Sequence, residues 1–443
     1  MDSRLTSYAE RPAPRYTSYP PAPHFGPEIG ASTSRTWLTQ IASDATLSLY
    51  LHVPFCRQLC WYCGCNTFAA RRAEPIDEFV GAILSEIDLV SEALSGQGVV
   101  EIHWGGGTPN ILSGTQFGAI VERLGRRFDL SMLQHHAIEL DPRHVDAPSA
   151  RAYAAAGVNR ASLGVQDLNE SVQHAIGRVQ SIEVVQGAVA ALKSAGIAKI
   201  SMDLMYGLPH QSVDAVERTV QHVASMKPNR IALFGYAHVP WFKKRQRLIS
   251  EASLPGAQER FAQAEAARSA LEAHGYVAIG LDHFALPSDE LAIAATSKRL
   301  ARSFQGYVLK QPSALIGLGP SAISTLPQGY AQNAAEPGAW SRAVAAGQFA
   351  TVRGHALTTD DRLRRDLIEQ IMCDFVGDLA PLGGAEACAA ELNLLSPMID
   401  DGLVEVEQDR VVLSAAARPL CRLVGMAFDT YAQRGAARHS RAV

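Results

Sequence analysis

A chain of 443 residues, 47% hydrophobic and 19% charged, has the apolar content for a large buried core and spans two or three domains, or one barrel with additions. Its formal net charge of −4 argues against a nucleic-acid binder held by a general basic field, and no uninterrupted apolar run of about 20 residues marks a membrane span. Its 7 cysteines are clustered unevenly, unlike a secreted disulfide framework, so a reducing cytoplasm fits best.

The N-terminal MDSRLTSYAERPAPRYTSYPPAPHF lacks the apolar stretch of a signal peptide. Pro12, Pro14, Pro20, Pro21 and Pro23 forbid a continuous helix, while Tyr16, Tyr19 and Phe25 ask for burial. Residues 1–35 are therefore expected to form an extended arm lying across the body.

From residue 47 a rhythm begins. Strand-length apolar runs recur as LSLYLHV (47–53), VVEIHW (99–104), HAIELD (136–141), RASLGV (160–165), KISMDL (199–204), RIALFG (230–235) and VAIGLD (277–282). Helical segments lie between them. The clearest is PIDEFVGAILSEIDLV, where Ile76, Phe79, Val80, Ile83, Ile87 and Val90 form one stripe and Pro75 suits the first turn. Strands alternating with helices predict βαβ units, a parallel sheet and a full or partial barrel. The catalytic domain is expected over 36–357, with its barrel core at about 47–285 followed by an extension.

The last stretch, 358–443, changes character. A helix over 359–376 opens at Thr358 or Thr359 with Asp360 and Asp361 in its first turn, and another covers roughly 384–400. LVEVEQDRVVLS predicts a hairpin, and a final helix follows. The order suggests a small, mostly helical, winged-helix-like domain. With an acidic chain, a structural lid is preferred to a DNA-binding module.

The stretch PFCRQLCWYCGCNT (54–67) sets Cys56, Cys60, Cys63 and Cys65 in one loop, spaced C-x3-C-x2-C-x-C. Thiolates are soft ligands for zinc or iron–sulfur clusters. Structural zinc usually takes paired arms from two places, and there is no second arm here: Cys373, Cys388 and Cys421 are scattered and read as buried core cysteines. A redox pair would use only Cys60 and Cys63. A loop wrapping one [4Fe–4S] cluster is the better reading, and spacing alone does not choose between three and four ligands.

C-x3-C-x2-C after a strand, with an aromatic (Tyr62) before the third cysteine, is similar to the signature of the radical S-adenosylmethionine enzymes. That resemblance implies a partial (β/α)6 barrel, cluster ligation by Cys56, Cys60 and Cys63, and S-adenosylmethionine on the fourth iron. Cys65 is then a non-ligand. The segments PRYTSYP (14–20), LYLHVPFC (49–56), HWGGGTP (103–109), LGVQDLN (163–169), DLMYGLP (203–209), GYAHVP (235–240), LDHFALP (281–287), FQGY (304–307) and SAIS (321–324) resemble, in order, those of the oxygen-independent coproporphyrinogen III oxidase family, over nearly the whole chain.

By that resemblance Tyr50, Gly106, Glu139 and Ile323 surround the S-adenosylmethionine on the cluster. Tyr62, Gly107, Thr108, Gln166, Arg178, Asp203 and Ala237 surround a second molecule beside it. Independently, three glycines after a strand allow backbone to approach a ligand closely. Glu139, Gln166 and Asp203 fall at the strand ends where barrel sites are built. An isolated Arg178 reads as a solvated helix charge; only its register with LGVQDLN lifts it. A tetracarboxylate macrocycle calls for cations. Candidates are Arg15, the run Lys243, Lys244, Arg245 and Arg247, and Arg299 and Arg302; the run reads equally as a solvated face. Gln305 and Tyr307 are the better candidates for lining the site. Two departures stand out: RSFQGYV (302–308) where the family usually has RNFQGYT, and Tyr62 where phenylalanine is common.

The implied reaction is anaerobic. A reduced cluster splits S-adenosylmethionine to a 5′-deoxyadenosyl radical, which takes a hydrogen from the β-carbon of a propionate. Loss of carbon dioxide and an electron leaves a vinyl group, and two such events turn coproporphyrinogen III into protoporphyrinogen IX. An electron donor and a final acceptor are needed, and a monomer is expected. The alternatives are a heme chaperone of the same fold, whose triplet is followed by aspartate and phenylalanine rather than Gly64–Cys65, a heme-degrading radical methyltransferase, and a zinc-stabilised winged-helix regulator.

Overall fold

The computed structural model describes residues 3–309, 312–432 and 440–442. The chain divides into two compact units that are not consecutive stretches of sequence. One comprises Phe25–Asp203 with Gln311–Ala356; the other comprises Met1–His24, Leu204–Lys310 and Leu357–Val443.

In the first unit, β1 (Leu47–Val53), β2 (Val99–Gly106), β3 (His135–Leu140) and β4 (Arg160–Gln166) pair in parallel in sequence order, and β5 (Lys199–Tyr206) follows β4. On the other side of β1 lies Ala314–Leu318, also parallel. Ile323–Leu326, Gly329–Asn333 and Thr351–Ala356 continue the sheet antiparallel, which makes it mixed. Every residue of β1 except Tyr50 is buried, as expected of a parallel strand covered on both faces. Helix Glu74–Ser91 buries Phe79, Ile83, Ile87 and Val90, four of the six residues of the predicted stripe, and also Glu86, while Ile76 and Val80 are half-buried. The Glu86 carboxylate accepts from Gly319 N (2.6 Å) and Asn333 Nδ2 (2.7 Å), joining helix to sheet. Helix Gly114–Arg127 starts on a reciprocal Ser113–Gln116 cap.

The second unit contains β6 (Arg230–Gly235), antiparallel to His283–Ala285, which turns back on Val277–Ile279. The single strand expected over 277–282 is thus the start of a hairpin. Gly280 turns it at φ +56°, where a Cβ would lie 2.0 Å from the Tyr307 ring.

The arm carries a short helix, Ser3–Ala9, that ends before Pro12. Tyr8, Ala13, Tyr16 and Tyr19 are buried in one core with Leu367, Ile371, Val424 and Phe428 from the C-terminal helices. Arg422 ties these parts together: its guanidinium donates to the carbonyls of Ala13, Pro14 (2.9 Å), Arg441 (3.1 Å) and Ala442 (3.1 Å). Helix Thr359–Asp374 opens on the predicted Thr358 cap, reciprocated by Asp361. The predicted hairpin, Val404–Glu407 with Arg410–Leu413, gains Val376–Asp378 as a third strand. The helix expected over 384–400 is two, Gly384–Ala387 and Ala389–Asp400. Cys373, Cys388 and Cys421 are buried, as expected.

Candidate active site

The thiol loop leaves the C-terminal end of β1. A two-residue parallel ladder, Phe55–Cys56 against Phe68–Ala69, pinches it shut, with Phe68 N donating to Pro54 O (2.8 Å) and Ala70 N to Cys56 O (3.0 Å). Within the loop, Cys56 Sγ lies 3.2 Å from both Thr67 Oγ1 and Thr108 Oγ1. Arg178 Nη1 donates to Cys60 Sγ (3.4 Å), and Cys65 N donates to Cys63 Sγ (3.4 Å). Each of the three expected ligand sulfurs therefore has a chain donor beside it, an arrangement that favours thiolate charge. Burial pushes the Cys56 thiol up, and the threonine hydroxyls oppose that. Cys65 is exposed. Among the described residues no three His, Cys, Asp or Glu side chains converge as they would around a single metal ion.

Under the loop runs the glycine end of β2. A Cβ on Gly105 would meet the Glu139 carboxylate at 2.8–2.9 Å. On Gly106, at φ +107°, it would strike the His52 ring at 2.6 Å. On Gly107 it would strike Thr67 Oγ1 (2.5 Å) and the main chain of Phe55 (2.6 and 2.8 Å). Gly107 N donates to Val53 O (2.7 Å) and Thr108 N to Phe55 O (2.9 Å), so the glycine segment is laced to the thiol loop by main-chain bonds.

Two groups of polar side chains flank this cradle. In the first, Glu139 on β3 accepts from Gly106 N (3.3 Å) and pairs with His103 Nε2 (3.0 Å). Burial lowers the His103 imidazole, but the bond to Glu139 overcomes it and holds it above its usual value. Tyr50 stacks on His103, with ring centroids 5.9 Å apart, and its hydroxyl meets His52 Nδ1 at 3.2 Å. Tyr50 is in register with Gly317, whose N–H donates to Ser324 Oγ (3.0 Å), the residue after Ile323.

In the second group Arg178 is buried rather than solvated. It donates to Gly164 O (2.6 Å), Asp141 Oδ2 (3.3 Å) and Cys60 Sγ. Arg143 and Arg178 hold Asp141 at about 2 despite its burial. Gln166 ends β4 at φ +67°. Burial pushes the Tyr62 phenol up, and Arg178 opposes that. Asp203 lies inside β5 rather than at its end, because the strand runs on to Tyr206. It accepts from Ser162 Oγ (3.2 Å), and burial, reinforced by the charge of Glu139, raises its carboxyl to about 7.

The first unit thus brings together Cys56, Cys60 and Cys63 with Tyr50, Tyr62, Gly106, Gly107, Thr108, Glu139, Gln166, Arg178, Asp203 and Ile323. Ala237 belongs to the second unit, where its carbonyl accepts from Gln246 Nε2 (3.1 Å). His52, His103 and Asp141 escape the sequence reading. Their only signal is position: His52 and His103 lie in the C-terminal halves of β1 and β2, and Asp141 directly follows β3.

The second unit holds a pocket lined by Arg15, Arg302, Arg260, Arg422, Arg441 and Asp282, of which only the first two are foreseen. Tyr307 does not line it. Its hydroxyl donates to Met372 O (2.6 Å) and accepts from Leu281 N (2.9 Å), and its ring lies under the Arg302 guanidinium at 4.5 Å, so it is a core residue. Gln305 stands in the turn before it and is likewise not among the lining residues. The departure at Ser303 preserves a turn bond: Ser303 Oγ accepts from Gln305 N (3.1 Å). Arg299, Lys244 and Arg247 are exposed.

The first-unit residues fit a [4Fe–4S] cluster with an adenosyl ligand. Three donor-assisted thiols are suited to be the ligands, and glycine at 105–107 lets Glu139, His52, Thr67 and Phe55 pack against the main chain where any Cβ would collide. Arg178 Nε is buried with no hydrogen-bond partner among the described residues.

The profile of the Radical SAM superfamily matches residues 50–223. An oxygen-independent coproporphyrinogen III oxidase of Bradyrhizobium diazoefficiens is 46% identical, over 99% of this chain and 98% of the relative. One from Escherichia coli is 38% identical, over 96% and 94%. A solved structure of the Escherichia coli coproporphyrinogen III oxidase, described as a radical SAM enzyme, matches with a TM-score of 0.89 at 37% identity, over 94% of this chain and 97% of that one. No helix among the described residues is long and apolar enough to cross a membrane.

Proposed function

The chain belongs to the oxygen-independent coproporphyrinogen III oxidase family of radical SAM enzymes, which serve heme biosynthesis, and from that premise we propose how its residues divide the work of converting two propionates of coproporphyrinogen III to the vinyl groups of protoporphyrinogen IX. The observation that carries the proposal is the donor-assisted trio of thiols pinned over the glycine cradle.

Cys56, Cys60 and Cys63 would hold a [4Fe–4S] cluster beside a bound S-adenosylmethionine. When bound, these groups supply the reducing electron and the radical chemistry that removes a propionate β-hydrogen. The hydroxyls of Thr67 and Thr108, the N–H of Cys65 and the guanidinium of Arg178 stabilise the negative sulfurs. Glu139 offers a carboxylate oxygen to the cationic amine of the first S-adenosylmethionine, between Tyr50, Gly106 and Ile323. Gly107, Thr108, Tyr62, Gln166, Arg178, Asp203 and Ala237 serve a second S-adenosylmethionine. Asp203, poised near 7, holds a proton on a carboxylate oxygen through part of the physiological range. The chain acts as a monomer with an external reductant and a final electron acceptor. Seven free thiols support a cytoplasmic setting.

The test is anaerobic reconstitution with coproporphyrinogen III, S-adenosylmethionine and a reductant. Protoporphyrinogen IX and 5′-deoxyadenosine are expected, and the absence of both would sink the proposal. Serine at Cys56, Cys60 or Cys63 should cost the cluster, whereas Cys65→Ser should keep the iron. Loss of iron from Cys65→Ser would overturn the three-ligand assignment.

A further inference from the structure

The arginine pocket of the second unit gathers more cations than carboxylates among the described residues. Among the described residues, five guanidinium groups, those of Arg15, Arg260, Arg302, Arg422 and Arg441, line it with one carboxylate, that of Asp282. Asp282 is already engaged, by Arg302 Nη2 (3.3 Å) and His283 Nδ1 (2.7 Å). Arg15 Nη2 donates only to a carbonyl, Gly235 O (3.2 Å), and Arg422 donates to main-chain carbonyls and Ser440 Oγ, which neutralise no charge. Arg260 lies over the Tyr206 ring, 5.6 Å from its centroid, and reaches Gly207 O (3.4 Å). Glu369 accepts from the main-chain N of Arg302 (3.4 Å). Arg302 Nη1 is buried without a hydrogen-bond partner among the described residues. Arg15 and Arg441 are exposed, whereas Arg260 and Arg422 are buried; burial and neighbouring arginines push Arg260 below its usual value and Arg422 down to about 10. Where such gathered cations are buried, as at Arg260, Arg302 Nη1 and Arg422, they are costly unless an anion arrives.

We propose that this pocket seats carboxylate arms of the tetracarboxylate substrate, namely the propionates that the reaction leaves intact. The proposal rests on the family reading above. Planar guanidinium forks match carboxylates. The pocket opens to solvent, and its water-accessible space, about 40 Å³, has room for about three waters, which suits a side arm rather than the whole macrocycle. The assignment to retained arms follows from charge. A propionate that reacts gives up its negative charge as neutral carbon dioxide departs. Cations clasping it would stabilise the starting state more than the transition state and slow the loss. The same cations hold an arm that keeps its charge from substrate through product.

The test is a fluorescence titration of the full chain with two stable porphyrins, coproporphyrin III and protoporphyrin IX, each as free acid and as methyl ester. Both acids should bind, and both esters should bind at least roughly tenfold more weakly. Arg15→Gln and Arg441→Gln should each weaken both acids by roughly tenfold, with partial recovery in Arg441→Lys. Lys244→Gln, in the exposed basic run, should bind as the unaltered chain does. Equal affinity for acid and ester, arginine variants that bind normally, or a loss in Lys244→Gln instead would each overturn the pocket assignment. The acid–ester comparison decides even if an arginine variant folds poorly. Refutation by titration leaves the product assay untouched. An absence of product with carboxylate-dependent binding intact would instead sink the enzymatic reading.

Discussion

Replacing Gly107 by alanine tests whether the thiol loop and the glycine cradle act as one body. The added Cβ would sit 2.5 Å from Thr67 Oγ1, 2.6 Å from Phe55 O and 2.8 Å from Phe55 N. Reaching ordinary contact needs movements of about 0.6–0.9 Å, and two of the three obstacles are main chain adjacent to Cys56, which cannot turn aside as a side-chain tip can. The strain should cost about 1–3 kcal/mol. It falls on the bonds Gly107 N to Val53 O and Thr108 N to Phe55 O, so it also moves the Thr108 hydroxyl that faces Cys56 Sγ. A displacement near 1 Å at reacting groups costs about 100-fold in rate. Gly105→Ala is the control: the three atoms nearest its Cβ all belong to the Glu139 carboxylate, a side-chain end that can turn aside, so the loop should stay in place while S-adenosylmethionine binding weakens. The measurements are iron and sulfide content after reconstitution, denaturant unfolding, and 5′-deoxyadenosine formation. If Gly107→Ala matches the unaltered chain in all three, the laced-loop account is wrong.

Two further outcomes follow from the flanking charges. Arg178→Met removes donors from Cys60, Asp141 and Gly164, but Asp141 keeps Arg143 (2.7 Å), so destabilisation should be about 2–3 kcal/mol, at or below the low end for a broken buried pair. The midpoint potential of the reconstituted cluster should fall, since the lost cation favours the more negative reduced state; an unchanged potential in a redox titration would contradict this. Asp203 rises from 3.8 to about 7 on folding, so its contribution to stability is complete below pH 3.8 and is lost as pH climbs through about 7. The stability of Asp203→Asn relative to the unaltered chain should therefore increase between pH 4 and pH 8, by about 4 kcal/mol at most. A flat difference in denaturant melts across that range would refute the raised carboxyl.

The rhythm of the first unit is legible because parallel strands covered on both faces read as unbroken apolar runs, as LSLYLHV does. What escapes is set by distant partners. VAIGLD looks like one strand, but the ring of Tyr307 leaves room only for a glycine at 280. Arg178 looks like a helix-surface charge, yet Cys60 and Asp141, 118 and 37 residues away, hold it inside. Arg260 and Arg422 are charges on helical segments, and nothing local announces that carbonyls of remote chain will receive them. Tyr307 shows the opposite error: a motif residue whose hydroxyl is spent on Met372 and Leu281.

The embrace of Arg422 around the carbonyls of Ala13 and Pro14 has a consequence for the order in which the protein is made. Those carbonyls, with Tyr8, Tyr16 and Tyr19, leave the ribosome long before the helices that bury them, which lie beyond residue 357. At about 5–20 residues per second the first two dozen residues wait tens of seconds for their core. Meanwhile the first unit's strands through β5 can already be paired. A nascent chain stalled before residue 357 should therefore present the arm to protease, and a completed one should protect it.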